Sequence, residues 1–294
     1  MTTAFTKGVP GLYPALDPST YHPLPAFSSS VARKLAMGIA PAAVRHALDF
    51  QEETLAMRLG SAAHTALFEP EAFEARYAVY DGVHNATHKA YQAAVEENAG
   101  RELIKAAAHR DALAIARAVR ATEQGRRMLD SWEFETSVLW KEDGMLCKFR
   151  FDAHEFTPSS SPPATIWDLK TFGGTLGRWG ARRRVEEMRY DVQTVHAMRA
   201  LSVTHGISIF DVRCVFLFVE TSAPYLTQAC VLDAEFLDAA LLDWTVAKDT
   251  WAACSETQVY PAYGDDLIVL SMGSMRRTMA REALEQAVAT DGAF

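Results

Sequence analysis

Cysteine is scarce in this sequence, and its four cysteines lie far apart. Cys147, Cys214, Cys230 and Cys254 form no C-x-x-C pair. Structural zinc sites use closely spaced cysteines, and disulfide frameworks are typical of small secreted chains. The sequence therefore predicts reduced thiols in the core, without a disulfide or a structural zinc.

Long apolar runs and an export signal are also missing. No apolar stretch reaches the roughly 20 residues needed to span a bilayer, and the first residues lack the basic-then-apolar order of a signal peptide. We therefore expect a cytoplasmic protein that does not contact a membrane.

Basic residues are outnumbered, with 29 Lys and Arg against 37 Asp and Glu, for a net charge of −8. This balance excludes a protein that coats nucleic acid over its whole surface. It still allows a local nucleic-acid site, because affinity depends on where the basic groups cluster.

No Pro/Gly/Ser-rich linker divides the 294 residues, of which 49% are hydrophobic and 22% are charged. Such a composition is ordinary for a globular protein. The closest candidate linker, residues 157–164, lies between two predicted strands and is better interpreted as a hairpin loop. We expect one domain over residues 1–294, with an irregular segment over about residues 1–30.

Periodicity predicts alternating helices and strands. Apolar residues at helical spacing indicate helices at 31–39, 54–68, 102–129 (with a break near Gly125), 185–203 and 233–253. Runs of strand type occur at 77–80, 133–140, 145–151, 165–169, 211–220 and 225–232. Asp143-Gly144 is a typical hairpin turn between two of these strands. The order favours an α/β fold in which helices flank a mixed central β-sheet.

Two predicted strands end in carboxylates. Cys147–Asp152 is one and Ile166–Lys170 is the other, and Asp168 lies sixteen residues after Asp152. Side chains two apart on a strand share a face, so Asp168 and Lys170 lie side by side while Leu169 faces the core. If the strands pair, Asp152 joins them. Placing two carboxylates on one face costs free energy unless a hard divalent cation neutralises their charge. This arrangement is typical of enzymes that cleave phosphodiesters with the help of a metal ion.

Each of these residues has an ordinary interpretation when it is considered alone. His64 on a helix is more often a surface or hydrogen-bonded core residue, and an Asp-x-Lys triplet is a common solvated pair. Tyr190 and Gln193 fit an exposed helix edge equally well. Their occurrence together and in order favours a site.

An arginine cluster precedes the helix that carries Tyr190 and Gln193. A run of charge is usually a solvated face. Its place directly after the Asp168 strand nevertheless favours phosphate contact by Arg178, Arg182, Arg183 and Arg184.

The combination resembles the PD-(D/E)XK nuclease superfamily, and within it the RecE-type exonucleases, which comprise exodeoxyribonuclease VIII and its phage relatives. The resemblance covers nearly the whole chain in the right order, and it implies a restriction-endonuclease-like core. The matching motifs are G-x-x-x-H at Gly60–His64, E-x-S-x-x-W at Glu135–Trp140, C-K-x-R-x-D at Cys147–Asp152, D-x-K-T at Asp168–Thr171 and Y-x-x-Q at Tyr190–Gln193.

Two features depart from the family pattern. The tyrosine that often follows Y-x-x-Q by four residues is Ala197 here, which weakens one DNA contact. The four cysteines do not match those of the iron–sulfur members, so no such cluster is expected.

The resemblance implies Mg²⁺ or Mn²⁺ held by His64, Asp152, Asp168 and the carbonyl of Leu169. Lys170 would orient or help deprotonate the attacking water and stabilise charge on the phosphate. Gln193 and Tyr190 would position the strand or the water. Arg58 would contact phosphate, and Glu135 is a weak candidate ligand for a second ion.

The implied activity is exonucleolytic digestion of linear double-stranded DNA from its ends, for recombination or end resection. A structure-specific endonuclease and a non-catalytic DNA-end-binding adaptor remain as alternatives. The same resemblance implies binding to a single-strand annealing protein and assembly into a homo-oligomeric ring. Strand polarity is left open.

Overall fold

The computed structural model describes residues 5–14, 16–50, 54–131, 133–265, 267–271, 276–279 and 281. They fall into two compact units, Met1–Pro261 and Ala262–Phe294. In the second unit, residues 276–279 are helical. All elements named below belong to the first unit.

Its helices are α1 Pro18–Tyr21, α2 Ser29–Ala36, α3 Pro41–Asp49, α4 Leu55–Phe68, α5 Pro70–Arg76, α6 Lys89–Glu97, α7 Ala106–Ala121, α8 Glu123–Leu129, α9 Arg178–Met188, α10 Tyr190–His205 and α11 Ala234–Thr257. Its strands are β1 Gly11–Tyr13, β2 Phe27–Ser28, β3 Tyr77–Val79, β4 Glu102–Ile104, β5 Glu133–Phe134, β6 Ser137–Glu142, β7 Met145–Arg150, β8 Ala153–Phe156, β9 Ala164–Phe172, β10 Val212–Glu220 and β11 Thr227–Cys230.

The central sheet has the order β11-β10-β9-β8-β5. Strands β9 and β10 run parallel, and the other neighbours are antiparallel. The two parallel strands are almost entirely buried, as expected of strands covered on both faces. This mixed sheet between helices confirms the predicted α/β fold class.

Helices cover both faces of this sheet. On one face, α4 packs Ala62, Ala63 and Ala66, at most 1% exposed, into a cluster with Trp167 and Leu169. Such small side chains let a helix approach a sheet closely. On the other face, α10 packs with α2 and α11. Asp168 and Lys170 of β9 therefore lie on the face of the sheet that α10 covers.

Within the first thirty residues, the described segments 5–14 and 16–30 contain regular elements that the sequence did not predict. They form β1, which pairs with β6, and β2, which pairs with β7, in the sheet β1-β6-β7-β2. Buried Lys148 on β7 donates hydrogen bonds to the carbonyls of Tyr21, His22 and Leu24 at 2.8–3.1 Å. The prediction of an irregular segment was wrong because these partners lie more than a hundred residues away and leave no local periodicity.

Three predicted elements are divided in the structure. The 102–129 helix begins as strand β4, which pairs with β3, and it breaks at Thr122. The 133–140 strand is interrupted at Glu135, whose φ is 48°. The 185–203 helix starts earlier, at Arg178, and is split at Arg189, whose φ of 50° is left-handed.

The Asp143-Gly144 turn is confirmed. Both residues have positive φ, 49° and 85°, and they join β6 to β7. Residues 157–163 form the expected hairpin loop, although the strand before it, β8, was not predicted. Among the described residues, no helix is long and apolar enough to cross a membrane.

Candidate active site

A cleft of about 680 Å³ opens where α4 meets the end of β9. His64, Glu135, Asp152 and Lys170 line it, so three residues that are remote in the chain meet beside the Asp-x-Lys strand. Its outer wall includes Pro18 and His22 of the first thirty residues, together with Tyr190 and Arg184.

His64 lies at the centre of the group. Its Nδ1 is 3.8 Å from both Glu135 Oε1 and Asp152 Oδ1, and its Nε2 is 3.3 Å from the carbonyl oxygen of Leu169. Burial disfavours the imidazolium, but the two carboxylates outweigh it and raise the pKa of His64 to about 9. In the absence of a bound cation, the positive charge of the protonated imidazole thus offsets the negative charge of the two carboxylates.

Asp152 lies between β7 and β8, beside strand β9. Its Oδ2 accepts a hydrogen bond from the backbone N–H of Leu169 at 2.7 Å. Burial raises the pKa of Asp152 to about 6, and the nearby Asp168 charge adds to this while His64 opposes it. At a pKa of about 6 this carboxyl is mostly ionised at neutral pH, and a bound cation would favour the ionised form further.

Glu135 is held by the junction between the two sheets. It sits between β5 and β6, and its backbone N–H donates to the carbonyl of Asp152 at 3.0 Å. Arg150 Nε donates to its Oε2 at 2.8 Å. Burial alone would raise the pKa of Glu135, but hydrogen bonds to His64 and Arg150 lower it. A left-handed non-glycine residue is uncommon, and such residues cluster at functional sites.

His64, Glu135 and Asp152 each offer a ligand atom, and these atoms lie within 4.8 Å of one another. Carboxylates are ligands of hard divalent cations, and an imidazole is a ligand of divalent transition-metal ions. The residues therefore fit a divalent cation. Sequence reasoning treated Glu135 as a weak candidate for a second ion, whereas the structure places it with His64 and Asp152.

Asp168 and Lys170 form a buried pair next to this group. Asp168 Oδ1 accepts from Gln193 Nε2 at 2.7 Å, and its Oδ2 pairs with the Lys170 ammonium. Burial would lower the pKa of Lys170, but the carboxylates of Asp168 and Asp152 raise it. Lys170 is therefore a cation at neutral pH. That suits orientation of a water and stabilisation of phosphate charge better than removal of a proton. The role of Asp168 as a ligand stays a prediction.

The predicted DNA-contacting residues are dispersed. Of the four arginines, Arg184 lines the cleft, where its guanidinium lies 5.1 Å from the Phe172 ring centroid. Arg178 and Arg182 line a separate groove beside β11. Arg183 pairs with Glu187 one turn along α9. A helix rotates successive side chains by about 100°, so four neighbours cannot all face one site.

Other residues also differ from the sequence prediction. Arg58 is half-buried on α4 and is not part of the cleft lining. Arg150 and His22 were missed, because their placement depends on the docking of residues 11–28. The one local signal for Arg150 was its position inside the Cys147–Asp152 motif.

Comparison with known proteins identifies the family. Residues 28–268 match the family described as "PDDEXK-like domain of unknown function (DUF3799)". The chain belongs to this family. Among curated proteins, none matches the chain.

The fold of this DUF3799 member is similar to that of a solved structure. The crystal structure of a "Putative exonuclease" from Eubacterium rectale superposes with a TM-score of 0.58 at 13% sequence identity. The match covers 86% of this chain and 92% of that one. At this identity the similarity establishes a shared fold, which agrees with the expected restriction-endonuclease-like core.

Proposed function

We propose that the protein is a divalent-metal-dependent deoxyribonuclease that digests linear double-stranded DNA from its ends. The observation that carries this proposal is the meeting of His64, Glu135 and Asp152 beside the Asp168–Lys170 pair. Carboxylates and an imidazole that can hold a metal ion, together with a fixed ammonium, are suited to the hydrolysis of a phosphodiester.

Mg²⁺ or Mn²⁺ would be held by His64, Glu135 and Asp152, with the Leu169 carbonyl and Asp168 adjacent to them. When bound, such an ion lowers the pKa of a water and offsets negative charge on the phosphate. The Lys170 ammonium, fixed by Asp168, stabilises the same charge from the protein side. Tyr190 and Arg184 line the cleft where a DNA backbone enters.

End-dependence, a role in recombination or end resection, a homo-oligomeric ring and association with a single-strand annealing protein come from the RecE-type resemblance. Double-stranded DNA ends are thus the proposed substrate. The motif residues His64, Asp152, Asp168 and Lys170 are all present, which favours an enzyme over a non-catalytic adaptor.

One assay separates the alternatives. The purified protein is incubated with linear, nicked and covalently closed plasmid, with Mg²⁺ or with EDTA, next to the Asp152→Asn variant. We expect nucleotide release from linear DNA with Mg²⁺, and no release in EDTA or from the variant. Cleavage of closed circles would instead identify an endonuclease. Binding to ends without any cleavage would identify an adaptor.

A further inference from the structure

Arg33 on α2 reaches from the first thirty-six residues into the buried side of the site. Its Nε donates to the carbonyl of Met188 at 2.6 Å, and its Nη1 donates to Gln193 Oε1 at 3.2 Å. Gln193 is 7% exposed and in turn donates from Nε2 to Asp168 at 2.7 Å. A continuous chain of hydrogen bonds thus joins Arg33 to Asp168.

Arg33 sets the orientation of the Gln193 amide. A guanidinium has donors and no acceptor, so it can face only the oxygen end of an amide. Asp168, when ionised, has acceptors and no donor, so it can face only the nitrogen end. With Arg33 on one side, the amide cannot turn over without placing two donors, or two acceptors, against each other.

Arg33 and Lys170 also share one aromatic ring. The Arg33 guanidinium carbon lies 4.7 Å from the Tyr190 ring centroid, and Lys170 Nζ lies 5.1 Å from it. Both distances are within the range of cation–π attraction. The ring packs against Phe216 at 5.8 Å between centroids. Arg33 is therefore connected to Asp168 through Gln193 and to Lys170 through the Tyr190 ring.

We propose that Arg33 is a positioning residue that holds Gln193 and Tyr190 so that Asp168 and Lys170 keep their reactive geometry. Its effect on turnover rests on the proposed nuclease function, whereas its effect on Gln193 does not. Without Arg33 the oxygen end of the amide has no fixed donor, so the Gln193 side chain can swing away from Asp168. The carboxylate then loses its fixed donor, and the ammonium paired with it loses its fixed position.

Arg189 provides a matched control. It lies at the same junction and makes the reciprocal contact, since its Nη1 donates to the carbonyl of Ala36 on α2 at 2.8 Å. Its remaining partners are Asp191 and Asp243. Arg189→Met therefore removes a half-buried arginine from the α2–α10 junction without removing a donor to the Gln193 side chain.

The kinetic test uses Arg33→Met, Arg33→Lys and Arg189→Met. We expect Arg33→Met to lower kcat by about 10- to 100-fold, the usual effect of losing one hydrogen bond to a charged group. KM for DNA should change less than about twofold, and Arg33→Lys should recover part of kcat. Arg189→Met should lower Tm and leave kcat unchanged. Equal losses of kcat in Arg33→Met and Arg189→Met would overturn the proposal.

A double-mutant cycle tests whether Arg33 acts through Gln193. In a Gln193→Ala background, Arg33→Met should reduce kcat by a smaller factor than in wild type, because one of the two groups that Arg33 positions is already gone and only its contact with Tyr190 remains. A further loss as large as in the wild-type background would show that Arg33 acts by another route.

A readout independent of catalysis completes the design. The side-chain amide protons of Gln193, assigned by their disappearance in Gln193→Ala, should exchange slowly with solvent in wild type and in Arg189→Met. They should exchange at least tenfold faster in Arg33→Met. Unchanged exchange would refute the positioning role even if the wild type cuts no DNA, and an inactive wild type would refute the nuclease proposal alone.

Discussion

Asp152 and Leu169 are joined by a 2.7 Å hydrogen bond from the Leu169 backbone N–H to Asp152 Oδ2. The pairing of β8 with β9 ends at Ala153 and Trp167. Beyond that point the N–H and carbonyl of Leu169, which point to the same side of the strand, have no partner in β8. The Asp152 carboxylate accepts the hydrogen bond from this N–H, and His64 lies 3.3 Å from the carbonyl oxygen. The backbone groups that β8 leaves unpaired at the end of the β8–β9 pairing therefore form part of the site.

Loss of either member of the Asp168–Lys170 pair should abolish cleavage. For Asp168→Asn and Lys170→Ala we expect more than about a thousandfold loss of nucleotide release, because the fixed cation and its orienting carboxylate act as a unit. Removing one member of a buried pair also destabilises the protein. Circular dichroism should nevertheless show a folded chain. Substantial cleavage by purified Asp168→Asn would refute the assignment.

Glu135→Gln should weaken divalent-cation binding. It keeps the side-chain volume and removes one of the two negative charges from the ligand group, so the Mg²⁺ concentration for half-maximal activity should rise about 10- to 100-fold. The control is Glu133→Gln, two residues earlier, where the carboxylate pairs with His154 instead. Equal Mg²⁺ dependence in Glu135→Gln and wild type would exclude Glu135 as a ligand.

His64 predicts a pH-dependent stability in EDTA. Its pKa is about 9 in the folded protein, above the ordinary 6.5. Its contribution to stability is therefore complete below pH 6.5 and is lost as the pH rises through 9. The Tm difference between wild type and His64→Gln should shrink across this window. A cation competes with the proton, so the Tm increase caused by Mg²⁺ should grow over the same range. A Tm difference independent of pH would contradict this.

Gly180→Ala should destabilise the loop that leads from β9 into α9. A Cβ at Gly180 would lie 2.4 Å from the backbone oxygen of Thr175, so either the loop or the helix must move. We expect a loss of about 1–3 kcal/mol by urea denaturation. Gly60→Ala is the control, since its Cβ would meet Thr171 Oγ1 at an ordinary 3.5 Å. Similar destabilisation by both changes would argue against a specific clash.

Sequence patterns predicted the parts of the fold that are determined by residues close together in the chain. Turn chemistry located Asp143-Gly144, and strand alternation placed Asp168 and Lys170 on one face. The break at Arg189 was missed because arginine is an ordinary helix residue, and nothing in the local sequence indicates the left-handed backbone that it adopts.

The site was predicted less completely than the fold. His64, Asp152 and Lys170 follow from motif order. The central place of Glu135 depends on its contact with His64, 71 residues earlier, and the reach of Arg33 depends on its contact with Gln193, 160 residues later. No periodicity in the sequence records such contacts. In the arginine cluster, Arg184 lines the cleft and the other three lie elsewhere, because sequence proximity does not fix the face of a helix that a side chain occupies. Phosphate contact by these arginines stays a prediction.

The docking of β1 and β2 onto β6 and β7 has a consequence for synthesis. The segment carrying Pro18 and His22 leaves the ribosome early, but the strands that receive it are completed at Glu142 and Arg150. Strand β9 follows at Phe172, and its parallel neighbour ends at Glu220. Domains generally fold as units during translation, so the cleft cannot form before β10 has been made. The proposed nuclease activity would therefore be absent from a nascent chain until that strand has paired with β9.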